Sequence, residues 1–219
     1  MIRTLLLSKP YLAVELFILG ALIPTLVLWF RLAPYMFVFL WSAALYCALI
    51  YRAYYHKKGE PLWRFDALNW PQLRPIIARW LAASLLLMGL TALAFPEKLF
   101  SLFYTKPEII PVLLFAYPIV SALPQEFIFC TYFFRRYAPL WQGNERITIW
   151  VSAVTFAYVH VLFINWVAPP LSLIAGYIFA TTYARTRSLS LVTFEHGLYG
   201  NSIFLIGLGW FFWGGSIQH

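Results

Sequence analysis

Long apolar runs, broken by short clusters of proline and charge, dominate this chain. A helix that crosses hydrocarbon needs about 20 mostly apolar residues. Seven runs answer to that description: Tyr11–Phe30, Pro34–Tyr51, Ile76–Phe95, Ile109–Phe134, Ile147–Phe163, Ala168–Tyr183 and Leu191–Trp213. The gaps fall where chains turn, at Arg31 to Pro34, Pro71 to Pro75, Pro96 to Pro107 and Ala138 to Arg146. The sixth run is the shortest and reads as a tilted or partial span. The pattern predicts an all-α, polytopic transmembrane helix bundle of about seven spans, one domain over residues 1–219 with no linker.

Composition strengthens this reading. The chain is 62% hydrophobic and only 11% charged, where a soluble domain carries about a quarter charged residues. Its 10 Trp and 14 Tyr suit the headgroup level, where an apolar ring and a polar tip are both satisfied. The net charge of +8 does not signal a nucleic-acid partner, because the basic residues sit between the apolar runs as orientation signals do. With the N-terminus inside, thirteen of the 16 basic residues fall on inner segments: Arg3, Lys9, Arg52, Lys57, Lys58, Arg64, Arg74, Arg79, Arg135, Arg136, Arg146, Arg185 and Arg187. Three, Arg31, Lys98 and Lys106, fall outside. The rule that basic residues stay inside therefore predicts N-terminus in and C-terminus out. The inner segment Arg52–Pro75 interleaves Tyr54, Tyr55, Trp63, Phe65 and Trp70 with Lys57, Lys58 and Arg64, the pattern of an interfacial element on an anionic leaflet. Cys47 and Cys130, the only cysteines, lie within apolar runs and suggest neither a disulfide framework nor a thiolate metal site.

Ionisable groups inside hydrocarbon cost at least about 2.5 kcal/mol each on insertion scales, so each calls for a reason. Five carboxylates and histidines fall within the runs: Glu15, Glu126, His160, Glu195 and His196. Glu15 lies about one turn inside its run, within reach of the interface. The other four come from three helices of the last block, about residues 109–213, and form a constellation. Pro124-Gln125-Glu126 precedes Cys130, and Arg135-Arg136 closes that run. Phe156 stands one turn before His160 on the same face. Glu195 and His196 are adjacent, about 100° apart around the helix, so only one can point straight into a shared cavity; His196 is the expected one.

These patterns resemble the CPBP family of intramembrane proteases, also called Abi or type II CAAX proteases, whose signature is a Glu-Glu-x-x-x-Arg helix, a Phe-x-x-x-His helix and a His-x-x-x-Asn helix. The last 100 or so residues carry the likeness in order. The stretch from Asn165-Trp166 through Arg185-Thr186-Arg187-Ser188-Leu189 to Glu195-His196-Gly197-Leu198-Tyr199-Gly200 is similar to a bacterial branch that writes its first motif Gln-Glu. The resemblance implies a water-activating glutamate at Gln125 or Glu126, of which only Glu126 can accept a proton. It implies His160 beside that glutamate, and His196 with Asn201, less directly Asn165, as donors to the oxyanion. Three positions depart from the signature. Gln125 stands at the first glutamate, Cys130 replaces the arginine four residues after Glu126, and Gly200 stands four after His196 with Asn201 one later. Cys130 leaves Glu126 without the family's cationic partner on its own helix face, and a substitute cation, His160 first, is needed for full activity.

The expected function is thus an intramembrane endopeptidase that hydrolyses a peptide bond in a membrane-associated or lipidated protein or peptide, within a bacterial inner (plasma) membrane. No cofactor is expected. A divalent metal such as zinc is the alternative, held by Glu126, His160 and His196 as a two-histidine, one-carboxylate set. Two rival readings use the same groups: a proton-coupled transporter, which the lack of an internal repeat disfavours, and a catalytically impaired scaffold or immunity protein, which Cys130 favours.

Overall fold

The computed structural model describes residues 2–55 and 61–213. Lys57 and Lys58, named above as inner basic residues, lie outside the described residues, as does the C-terminal end of the chain after Trp213. Seven long helices form the body: α1 Lys9–Trp29, α2 Ala33–Tyr54, α3 Trp70–Ala94, α4 Ile109–Arg136, α5 Glu145–Phe163, α6 Ala168–Thr186 and α7 Leu189–Ile206. No strand occurs among the described residues. The chain is an all-helical integral membrane protein.

Five helices, α1 to α5, are long and apolar enough to cross a membrane. The expectation of seven differs over α6 and α7. At 19 and 18 residues they approach 28 Å in length, at about 1.5 Å per residue. What they lack is uniform apolarity, and packing explains why. α7 lies against α3, α4 and α6, and it buries Glu195, His196 and Ser190 against protein rather than lipid.

Capping side chains start three of the helices. Asn69, Asn144 and Ser188 accept from Gln72, Ile147 and Leu191 N–H at 3.3, 3.2 and 3.1 Å, each satisfying a donor that the first helical turn orphans. α7 ends at Gly207, whose φ of +108° carries the chain out of the helix. A Cβ there would also lie 1.8 Å from the Lys98 carbonyl oxygen, so only glycine fits.

Helix α4 is irregular, and its prolines are the reason. π-helical turns at Pro118–Ala122 and Phe127–Tyr132 bracket the short α-helical piece Leu123–Glu126. Pro118 cannot donate to the Leu114 carbonyl, nor Pro124 to that of Val120. Asn201 Nδ2 of α7 donates to the first at 3.2 Å and Trp41 Nε1 of α2 to the second at 3.1 Å. Ser152 of α5 donates to the Phe129 carbonyl at 2.6 Å. Neighbouring helices thus satisfy backbone that lipid could not.

One buried ion pair and one half-buried one add to the reading of the charges. Glu15 is buried within the protein. Its carboxylate accepts from Tyr46 and Tyr132 hydroxyls at 2.6 and 2.9 Å and from Arg136 Nε at 2.7 Å, tying α1 to α2 and α4. Arg79, counted among the inner flanking charges, sits well inside α3, which begins at Trp70. Its guanidinium pairs with Glu195 at 2.7 Å. Arg79 and Arg136 therefore also act as cohesive charges between helices.

The segment before α3 docks on the start of α7. Ser188 and Ser190 hydroxyls donate to the Trp63 carbonyl at 3.0 and 2.7 Å. Arg64 bonds Asp66 at 2.9 Å and holds its carboxyl below the usual carboxylate range. Phe65 and Trp70 remain exposed, as an interfacial element requires. The proposed sidedness has a direct check. A cysteine at Lys106 should react with an impermeant maleimide in intact cells, and one at Gln142 only after permeabilisation. Labelling of both from the same side would overturn it.

Candidate active site

The irregular stretch of α4 aims Glu126 at α7. Its carboxylate is buried, with Oε1 2.6 Å from His196 Nδ1 and Oε2 accepting from Cys130 Sγ at 3.1 Å. Facing a carboxylate oxygen, which accepts, Nδ1 of the imidazole is the donor. The other nitrogen, Nε2, lies 3.0 Å from the Tyr117 hydroxyl. Aromatic rings fix the imidazole plane: Phe179 stacks on it with centroids 4.6 Å apart, while Phe156 and Tyr117 meet it edge-on at 5.8 and 5.9 Å. Cys130 shares the face of Glu126, as its spacing predicts, but offers only a thiol. The group able to carry positive charge against Glu126 is His196, not His160.

His160 sits where α5 tightens into its last turn, His160–Phe163. Its Nδ1 donates to the Phe156 carbonyl at 2.7 Å, which leaves Nε2 as the lone-pair acceptor, without a hydrogen bond among the described residues. The Phe156 ring separates this histidine from His196, its centroid 4.5 Å from the His160 ring. Both histidines and Tyr117 line a cavity of about 40 Å³, room enough for a water molecule. Tyr117 and His160 also line a larger, apolar cavity of about 550 Å³ between α1, α2, α4 and α5, whose few polar groups include Ser121 and Gln125. Glu126 is among the lining residues of neither.

The remaining candidates separate by what they touch. Gln125 bonds Ser121 at 3.0 Å beside the larger cavity. Glu195, about a quarter turn from His196, faces α3 and Arg79. Asn165 is spent on backbone: Oδ1 accepts from Val167 and Ala168 N–H at 3.0 and 2.8 Å, and Nδ2 donates to Phe211 O at 2.8 Å. Asn201 serves the Leu114 carbonyl. Neither asparagine meets His160 or His196. Among the described residues no three His, Cys, Asp or Glu side chains are gathered where they could hold a metal ion. With Glu126 and Tyr117 on its two nitrogens, His196 has none to spare, so the Glu126, His160 and His196 set does not fit a zinc in this arrangement.

Tyr117 and Phe179 escaped the sequence reading, since no spacing relates either to the histidines. Arg79 had a signal, a lone charge inside the apolar run Ile76–Phe95, but with Arg74 close before it the residue reads as one of the flanking basic residues.

Residues 107–201 match the family model described as type II CAAX prenyl endopeptidase Rce1-like. The matched segment runs from just before α4 to Asn201 and takes in every residue of the site. No curated protein and no solved structure matches the chain.

Proposed function

We propose that this member of the Rce1-like type II CAAX prenyl endopeptidase family hydrolyses a peptide bond in a prenylated or otherwise membrane-held protein, within a bacterial plasma membrane, by metal-free general base catalysis. The observation that carries the reading is the convergence of α4, α5 and α7. His196, backed by buried Glu126, and a second histidine with an open nitrogen, His160, line one water-sized cavity beside an apolar one.

The base assignment follows from which lone pairs are available. Glu126 lines neither cavity, whereas His160 lines both, and its Nε2 keeps a lone pair because Nδ1 is the nitrogen bonded to the Phe156 carbonyl. In the proposed reaction His160 takes a proton from water as the oxygen attacks the scissile carbonyl, then returns it to the leaving amine. Glu126 acts through His196, holding its imidazole by Nδ1. The larger cavity, apolar along most of its wall, takes the substrate's lipid chain or spanning segment.

The test uses the purified full chain and a peptide that ends in a farnesylated cysteine plus three residues. Cleavage that survives a divalent-metal chelator is expected. Failure of the folded chain to cleave this peptide, or any single-span membrane peptide, would overturn the reading. One observation favours a second reading, an impaired member that binds without efficient turnover: Gln125 puts an amide where the family signature has its first glutamate, beside the larger cavity. A large gain in turnover by Gln125→Glu would select that reading.

A further inference from the structure

We propose that Tyr117 is a catalytic residue, its hydroxyl donating to the substrate carbonyl oxygen as that oxygen becomes an oxyanion. The inference rests on the protease reading above and adds a group that reading lacks, since neither Asn165 nor Asn201 faces the cavity histidines.

Three observations carry it. First, Glu126, His196 and Tyr117 form one hydrogen-bonded line, with steps of 2.6 and 3.0 Å. With the imidazole protonated, Nε2–H donates to the phenol oxygen, and the phenol O–H is free to donate onward. The charges along the line then alternate, carboxylate, imidazolium, neutral hydroxyl, oxyanion, so each hydrogen bond strengthens the next. No proton needs to change owner.

Second, Tyr117 lines both the small cavity and the large one. The residue therefore borders both the water-sized space that His160 lines and the space offered to substrate, with its hydroxyl 3.0 Å from His196 Nε2.

Third, α7 leaves room for this ring at Gly200. A Cβ there would lie 2.1 Å from Tyr117 Cε1 and 2.4 Å from its hydroxyl oxygen. The volume a side chain one turn beyond His196 would occupy is filled by the phenol, which brings a donor to the same place from α4. Phe204, edge-on at 5.5 Å, holds the ring on its other side.

The experiment compares wild type, Tyr117→Phe and Gly200→Ala as full chains in one detergent, with the farnesylated peptide. Tyr117→Phe removes only the hydroxyl and should lower kcat about 100-fold, the loss typical of one oxyanion donor, with KM within about twofold and the melting temperature unchanged. Gly200→Ala, which displaces the ring, should show a similar kcat loss. Glu126→Gln should add little to Tyr117→Phe, because groups acting as one line are not additive. A second readout needs no turnover: the ratio of affinities for a farnesylated peptide aldehyde, tetrahedral as its hydrate, and for the matching alcohol. Tyr117→Phe should lower that ratio about tenfold. If wild type fails to cleave, the protease reading falls and this ratio alone decides the role of Tyr117. Wild-type kcat in Tyr117→Phe, a loss confined to KM, or an unchanged ratio would each overturn the proposal.

Discussion

His160→Ala should lower kcat for cleavage of the farnesylated peptide by about 10²–10⁴-fold, the usual contribution of a positioned general base. The substitution removes the one cavity-lining imidazole whose Nε2 is an open acceptor and leaves space beside the larger cavity, so added imidazole should restore part of the rate. Glu126→Gln should cost less. It keeps the shape of the buried contact to His196 Nδ1 and loses only the carboxylate's charge. The ranking is the decisive observation. If Glu126→Gln abolishes turnover while His160→Ala leaves most of it, the base is Glu126, freed from His196 and Cys130 when substrate binds.

How much of this was legible in the sequence depends on what each residue answers to. The helices answer to lipid, and continuous apolar runs gave α1, α2, α4 and α5 to within a few residues. α3 starts earlier than its apolar stretch because Trp70 to Pro75 continues the helix, and α7 stops earlier because Gly207 breaks it. In both places a polar or glycine cue competed with hydropathy. In the site, Glu126 and His196 were legible as costly groups on separate helices, and the structure joins them. The place of His160 was not, because the choice between meeting Glu126 and bonding its own helix carbonyl turns on the tight turn after Val159. Asparagines read from motif spacing as oxyanion donors serve backbone instead: Asn165 starts α6, and Asn201 covers the carbonyl that Pro118 leaves open. Those demands come from chain breaks on other elements, which spacing along one helix does not encode. Tyr117 is the same case in reverse, positioned by a missing side chain on α7.

The largest stability effect should come from Arg136→Met. The Arg136 side chain is 0% exposed and pairs with Glu15, itself only 5% exposed, at 2.7 Å. Removing the guanidinium leaves the carboxylate with two tyrosine hydroxyls and no counter-charge, in surroundings that cannot hydrate it. Breaking a buried pair from one side typically costs about 3–5 kcal/mol. The lost hydrogen bond to Tyr55 at 3.0 Å adds to this by loosening the inner end of α2. The double variant Glu15→Gln/Arg136→Met should be milder than Arg136→Met alone, because it no longer strands a charge. The two sites touch, so their effects should not add. Denaturant unfolding in a single detergent, followed by tryptophan fluorescence, measures all four corners of the cycle. Additive losses would mean that Glu15 and Arg136 are each stabilised independently, and that α1 is held to α4 by apolar packing around Leu12 and Tyr132 rather than by this pair.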